Sequence, residues 1–402
     1  MKNYNSLVGL SPQVRAVLAD VGNSGLPVIR GQWFVVDPYK ITDASGDIEG
    51  AFSNLTDAYN ACVDGRGDGI LVLGGGLTSA VCSTYLPKSI TWSKSGITVF
   101  GVSPDAGYDS RARIATMATV SPGAGVLTYT ATTIIRSTGS FVTDGFVVGS
   151  KGTITGTSSN STKLYNITAI STDGKTMTTD AETLNVQSGT YTDTLVPYLV
   201  NLITVTAWNN AFYNLQFVNE CLSVLALGAV SVTSSRNCFY NCRFNSHANT
   251  SRTGQATDYD LTLSASECVF AHCFFGTNSV ASGATNGNIV LGVSTTQIGQ
   301  NFFEDCYVLS WSATTTHGAI LITNAETLGG YIVFKNCTFI NWNSNPATVM
   351  ATVVIGATPS RQGILFQNCG SVGYTAISAD NDVVWTTGDN AASGAGTLAT
   401  HI

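Results

Sequence analysis

Charge is scarce in this 402-residue chain. Only 11% of its residues are Asp, Glu, Lys or Arg, and 25 acidic against 18 basic side chains leave a net charge of −7. A disordered chain carries more charge and fewer apolar groups than the 44% found here, so a packed fold is expected. No basic stripe exists to neutralise phosphates, which excludes a nucleic-acid partner. No apolar run reaches the roughly 18 residues of a membrane-spanning helix, so no membrane is expected. The opening Met1-Lys2-Asn3-Tyr4-Asn5-Ser6 lacks the basic-then-apolar plan of a secretory leader. Clustered Cys or His at ligand spacing is missing too. The close pairs Cys238/Cys242 and Cys268/Cys273 read as strand residues, and neither metal nor cofactor is expected. Nucleophile-elbow, phosphate-loop and dinucleotide fingerprints are absent as well.

What the chain does have is a phrase that returns. It reads Phe239-Tyr-Asn-Cys-Arg-Phe244, then Phe270-Ala-His-Cys-Phe-Phe275, then Phe303-Glu-Asp-Cys-Tyr-Val308. It continues as Phe334-Lys-Asn-Cys-Thr-Phe339 and Phe366-Gln-Asn-Cys-Gly-Ser371, after a degenerate first copy, Phe212-Tyr-Asn-Leu-Gln-Phe217. The cysteines at 242, 273, 306, 337 and 369 are 31, 33, 31 and 32 residues apart. A fixed period of this length marks a solenoid whose units bury their apolar faces only by stacking. Each unit also carries an upstream apolar run: Val224–Leu227, Leu261–Leu263, Ile289–Leu291, Ile320–Ile322 and Val353–Ile355. These runs are short and aliphatic, bounded by Gly, Ser, Thr and Asn, and show no helical period.

The expected fold is therefore all-β: a right-handed parallel β-helix. Cys242, Cys273, Cys306, Cys337 and Cys369 should form an interior column of thiols, not a disulfide framework. Asn214, Asn241, Asp305, Asn336 and Asn368, with His272 in the remaining copy, should form a polar ladder at a corner, where amides satisfy backbone groups left by a tight bend.

Taken in order, residues 1–31 read as an arm with a short helix, Ser11 as its cap and Gly22 as its stop. Residues 32–128 hold a strand at 32–37, a helix over about Asn54–Val63 that caps the first rung, and the first rungs. The Arg66-Gly67-Asp68 triplet reads as a turn feeding a strand. Over 129–193 the repeat vanishes, Thr and Ser become dense, and strands at 133–136, 153–155, 165–170 and 176–179 suggest a small β-barrel inserted between rungs. Rungs of about 32 residues resume over 194–385, and 386–402 reads as a C-terminal arm.

Phe34-Val35-Val36-Asp37, the stretch Ala61-Cys62-Val63-Asp64-Gly65-Arg66-Gly67-Asp68, the strand Ile70-Leu71-Val72-Leu73 and the Phe-x-Asn-Cys-x-Phe rungs together resemble right-handed β-helix proteins of tailed bacteriophages. The chain departs from them at Gly74-Gly75-Gly76, where they usually carry Pro-Gly. The insert, with Asp144-Gly145-Phe146-Val147-Val148-Gly149, is similar to a small β-barrel module of phage virion proteins. The resemblance covers most of the chain. It implies a virion structural protein assembled in the bacterial cytoplasm, a head decoration protein without catalytic activity that contacts the major capsid protein or other virion proteins as a homotrimer. The alternative is a tail spike or fibre that binds or cleaves host surface polysaccharide. A bacterial surface adhesin is a weaker third reading, disfavoured by the missing leader.

Glycan cleavage would need two carboxylates facing one groove. Asp258 with Asp260 would share a face but read as solvated turn residues before a strand. Glu304 and Asp305 are adjacent and should point apart, and Asp380 with Asp382 reads as an Asx turn. Arg243 and Lys335 lie in different columns with no acidic cluster beside them, and His247, His272 and His317 look scattered. No catalytic residue is expected.

Overall fold

The structure is a computed structural model. It describes residues 29–37, 51–74, 83–102, 111–116, 127–188, 191, 193–197, 199–221, 228–246, 258–277, 280–282, 287–292, 297–311, 314, 316–324, 327–342, 350–353, 363–378 and 384–387. The expected first helix and most of both terminal arms lie outside these residues.

Three parallel sheets of ten, eight and seven strands run the length of a β-helix. Each full coil visits the seven-stranded sheet (sheet 3), then the ten-stranded sheet (sheet 1), then the eight-stranded sheet (sheet 2). One coil is Asn201–Val205, Ala211–Tyr213 and Leu215–Val218; the next is Gly228–Val232, Cys238–Tyr240 and Arg243–Asn245. The repeat sets the register: Phe212 pairs with Phe239, Phe239 with Phe270, Phe270 with Phe303, Phe303 with Phe334, and Phe334 with Phe366. Their rings form an axial stack, with centroids 4.3–5.3 Å apart and planes within 2–23°. Phe217, Phe244 and Phe275 make a second stack inside sheet 2. The expected run Val224–Leu227 lies outside the described residues, and the glycine-led stretch Gly228–Val232 after it forms the strand of this coil.

The corner between sheets 1 and 2 explains the repeating phrase. Asn214, Asn241, His272, Asp305, Asn336 and Asn368 all have φ of 51–55°. In that left-handed region Asn, Asp and His are tolerated where a β-branched residue is not. Asn241 donates to Asn214 Oδ1 at 2.9 Å, and Asn214 donates to the Gly101 carbonyl at 2.8 Å. The next residue turns inward. Cys242, Cys273, Cys306 and Cys337 are buried and Cys369, at the end, is partly so. Each Sγ donates to the carbonyl of a phenylalanine one coil back, 3.2–3.4 Å away: Phe212, Phe239, Phe270, Phe303 and Phe334 in turn. All the described cysteines are free thiols.

One short helix, α1 (Leu55–Ala61), covers the first coil. Asn54 caps it by accepting from Asp57 N, and Lys94 Nζ closes its other end on the carbonyls of Tyr59, Asn60 and Cys62. Tyr59 packs on Trp92, which packs on Phe212, so the cap joins the axial aromatic stack. Asp68 fastens the same end. Its buried carboxylate accepts from Gln32 N and Val63 N and pairs with Arg66. Arg66-Gly67-Asp68 is thus a turn closed on itself.

Between two coils the chain forms an antiparallel module, Leu127 to Pro197, with its own core of Tyr129, Phe141, Phe146, Ile154, Tyr165, Met177 and Leu195. Its seven strands follow one open order, from Gln187–Ser188 at one edge to Thr194–Pro197 at the other. The described pairings do not close the ring that a barrel requires. The coils ignore this insertion: Ile90–Trp92 pairs with Asn201–Val205, and Ala112–Thr116 with Leu215–Val218.

Candidate functional site

At the corner between sheets 2 and 3 the structure corrects the reading of the acidic pairs. Asp260 belongs to the strand Tyr259–Leu263, and Asp258 immediately precedes it. Each is 2% exposed, so neither is a solvated turn residue. Their coil stacks on the coil that runs from Asn288 to Ser310, and His317 lies just before the strand Gly318–Ile322 that opens the next coil. With Ser246, Asn288, Trp311 and His317 the two acids line a cavity of about 10 Å³, room for a single water. Asp260 Oδ1 accepts from Ser246 N and Oγ, and Oδ2 accepts from Asn288 Nδ2 at 2.6 Å. Asn288 in turn accepts from Ser310, which accepts from Tyr374, extending the polar chain along the axis.

Burial pushes the Asp260 carboxyl up to about 6, against the pull of Asn288, Ser246 and the nearby Arg243 guanidinium. Arg243 therefore does have an acidic neighbour, and His317, 4% exposed, is part of this cluster. Chemically the arrangement can hold a proton near neutral pH. It cannot receive a sugar ring.

The other expected positions do not converge. Glu304 faces out from sheet 1 and pairs with Lys335 at 2.7 Å. Asp305 sits at the left-handed corner, 3.8 Å from His272. Asp380, Asp382 and His247 lie outside the described residues. A second polar ladder escaped the sequence reading altogether. Asn210, Asn237 and Asn301 are buried at the corner between sheets 3 and 1 and accept from Ile97 N, Asn210 N and Cys268 N. Their shared place at this corner, interrupted by Cys268 in the coil between Asn237 and Asn301, was the available signal.

Two outer faces carry side chains that a partner could meet. On sheet 2, Arg243, Phe274 and Tyr307 stand in register on successive coils. The guanidinium lies 4.9 Å from the Phe274 ring centre, and Phe274 stacks on Tyr307, which is 51% exposed. On sheet 1, a shallow groove of about 970 Å³ is lined by Glu267, Val269, Phe302, Tyr331, Val333 and Leu365.

No protein-family model and no curated protein matches the chain. Solved structures do resemble it. A pectin methylesterase bound to a hexasaccharide is 13% identical, with 91% of this chain and 92% of that chain covered and a TM-score of 0.46. The pectin methylesterase PemA of Erwinia chrysanthemi is 12% identical over 92% and 93%, also at 0.46. The tailspike protein of Pseudomonas phage LKA1 is 11% identical over 84% and 75%, at 0.21. At such identities and scores, none of these proteins' activities passes to this chain.

Proposed function

We propose that this chain is a structural protein of a tailed-bacteriophage particle that works by contact, placed on the head as a decoration and stabilising subunit against the major capsid protein or a neighbouring virion protein. The observation that carries this reading is the fate of the acids. Asp258 and Asp260 are buried around a water-sized cavity, and Glu304 is tied to Lys335 on the outer face of sheet 1. Two carboxylates flanking a glycosidic bond must both reach the substrate, and neither pair offers that. The phage likeness of the rungs supplies the setting. Fractionating disrupted virions into heads and tails and quantifying the chain by mass spectrometry tests the placement. Many copies on heads are expected; a few copies confined to tails would overturn it.

A second reading, a tail spike that binds host polysaccharide, is favoured by the Arg243, Phe274 and Tyr307 ladder on sheet 2. Ring faces stack on sugars, and a guanidinium suits an acidic one. Under this reading Tyr307→Ala lowers binding to host polysaccharide at least tenfold; equal binding by wild type and variant removes the ladder from that role.

A further inference from the structure

Sheet 1 carries one outward column that a solvated sheet should not have. Cys238, Val269, Phe302, Val333 and Leu365 stand in register on five successive coils. Val269 is 37% exposed and Phe302 48%. With strands about 4.8 Å apart, the column is a straight apolar stripe about 20 Å long. Such a stripe marks a contact surface. At the other end of the same face the chain supplies its own cover, since Ala51 packs with Val35, Leu71, Phe100 and Val102. From Cys238 onward Val269 and Phe302 are exposed, while Cys238, Val333 and Leu365 are half-buried.

We propose that a second copy of this chain covers the stripe, with the two β-helices antiparallel about a two-fold axis that crosses between the coils of Phe302 and Val333. Two observations select this occupant. An identical stripe has the same repeat, so the two columns meet coil against coil along their length. The adjacent outward column then decides the direction. It carries Glu304 and Lys335 on neighbouring coils, paired with each other. Reversing one copy about this axis brings Phe302 over the partner copy's Val333 position and Glu304 over its Lys335 position. The charges then alternate across the contact, and the interface is isologous. Aligned in the same direction about an axis through the stripe, the two Glu304–Lys335 columns fall on opposite sides of it and gain no such contact.

Sedimentation equilibrium of the full chain tests this at concentrations from 1 to about 100 μM. A dimer mass is expected, and Phe302→Glu should weaken association at least tenfold while keeping the wild-type far-ultraviolet spectrum, because residue 302 faces solvent in the single chain. Glu304→Lys alone and Lys335→Glu alone should each be monomeric, and mixing the two should restore a dimer. A monomeric wild type at the highest concentration, or a trimer mass, overturns the proposal. So does a mixture that stays monomeric. A monomeric wild type that loses polysaccharide binding on Phe302→Glu would instead assign the stripe to a glycan.

Discussion

Asp260 concentrates the energetics of this chain in one carboxyl. It accepts three hydrogen bonds yet titrates at about 6, well above the ordinary 3.8, because burial outweighs them. Since the folded value is raised above the unfolded one, folding favours the protonated acid. Its contribution is therefore full below the ordinary value and is lost as pH rises through about 6. A shift of that size corresponds to roughly 3 kcal/mol. The melting temperature is expected to rise as pH falls from 7 to 5, and Asp260→Asn should flatten that rise, as thermal scans at fixed ionic strength would record. A slope unchanged in Asp260→Asn would show that Asp260 does not set it.

Asp68 behaves oppositely. Burial raises it, but Arg66 and the amides of Val63 and Gln32 outweigh burial and hold it below the carboxylate range. Its stabilisation is present at neutral pH and is lost only as the solution becomes strongly acidic. Asp68→Ala should cost about 3 kcal/mol at pH 7 by stranding those donors. Denaturant unfolding reads that loss.

At the scale of the coil, the phrase Phe-x-Asn-Cys-x-Phe was legible because each letter answers a separate demand. The phenylalanines fill the core, the Asn accepts a left-handed φ, and the Cys fits a narrow interior corner. Asn336→Val should therefore cost about 1–2 kcal/mol while Asn336→Gly stays near wild type, since only the β-branched side chain clashes at φ 53°. Cys306→Asp should cost several kcal/mol by placing a charge among the stacked thiols, and wild-type melting would remove Cys306 from the interior. What the sequence hid at this scale depends on stacking. An acid at the start of a strand is ordinarily wet, and Asp260 is dry only because Asn288, 28 residues on, and the coil after it close over it. Asn210, Asn237 and Asn301 were missed for a similar reason. A lone Asn before a strand reads as a turn until its neighbours one coil away are seen to share its place.

Across the whole molecule, the antiparallel module and the β-helix are separate solutions to burial. The module packs its own aromatic core, and the coils on either side of it pair as if it were absent. Strand pairing, the axial phenylalanine stack and the cap of α1 on Trp92 all run past the insertion without using its residues. A solenoid derives its stability from interfaces between adjacent repeats, and none of those interfaces is lost when a loop of one coil is shortened. Replacing Leu127 to Pro197 with a short Gly-Ser bridge should therefore leave a folded β-helix. Its far-ultraviolet spectrum should stay β-rich, and its protected fragments in limited proteolysis should still run through the Phe212 to Phe366 stack. A shortened chain that is digested throughout would mean that the module clamps the early coils, with Lys88, which donates to Val148 O, as the first contact to test.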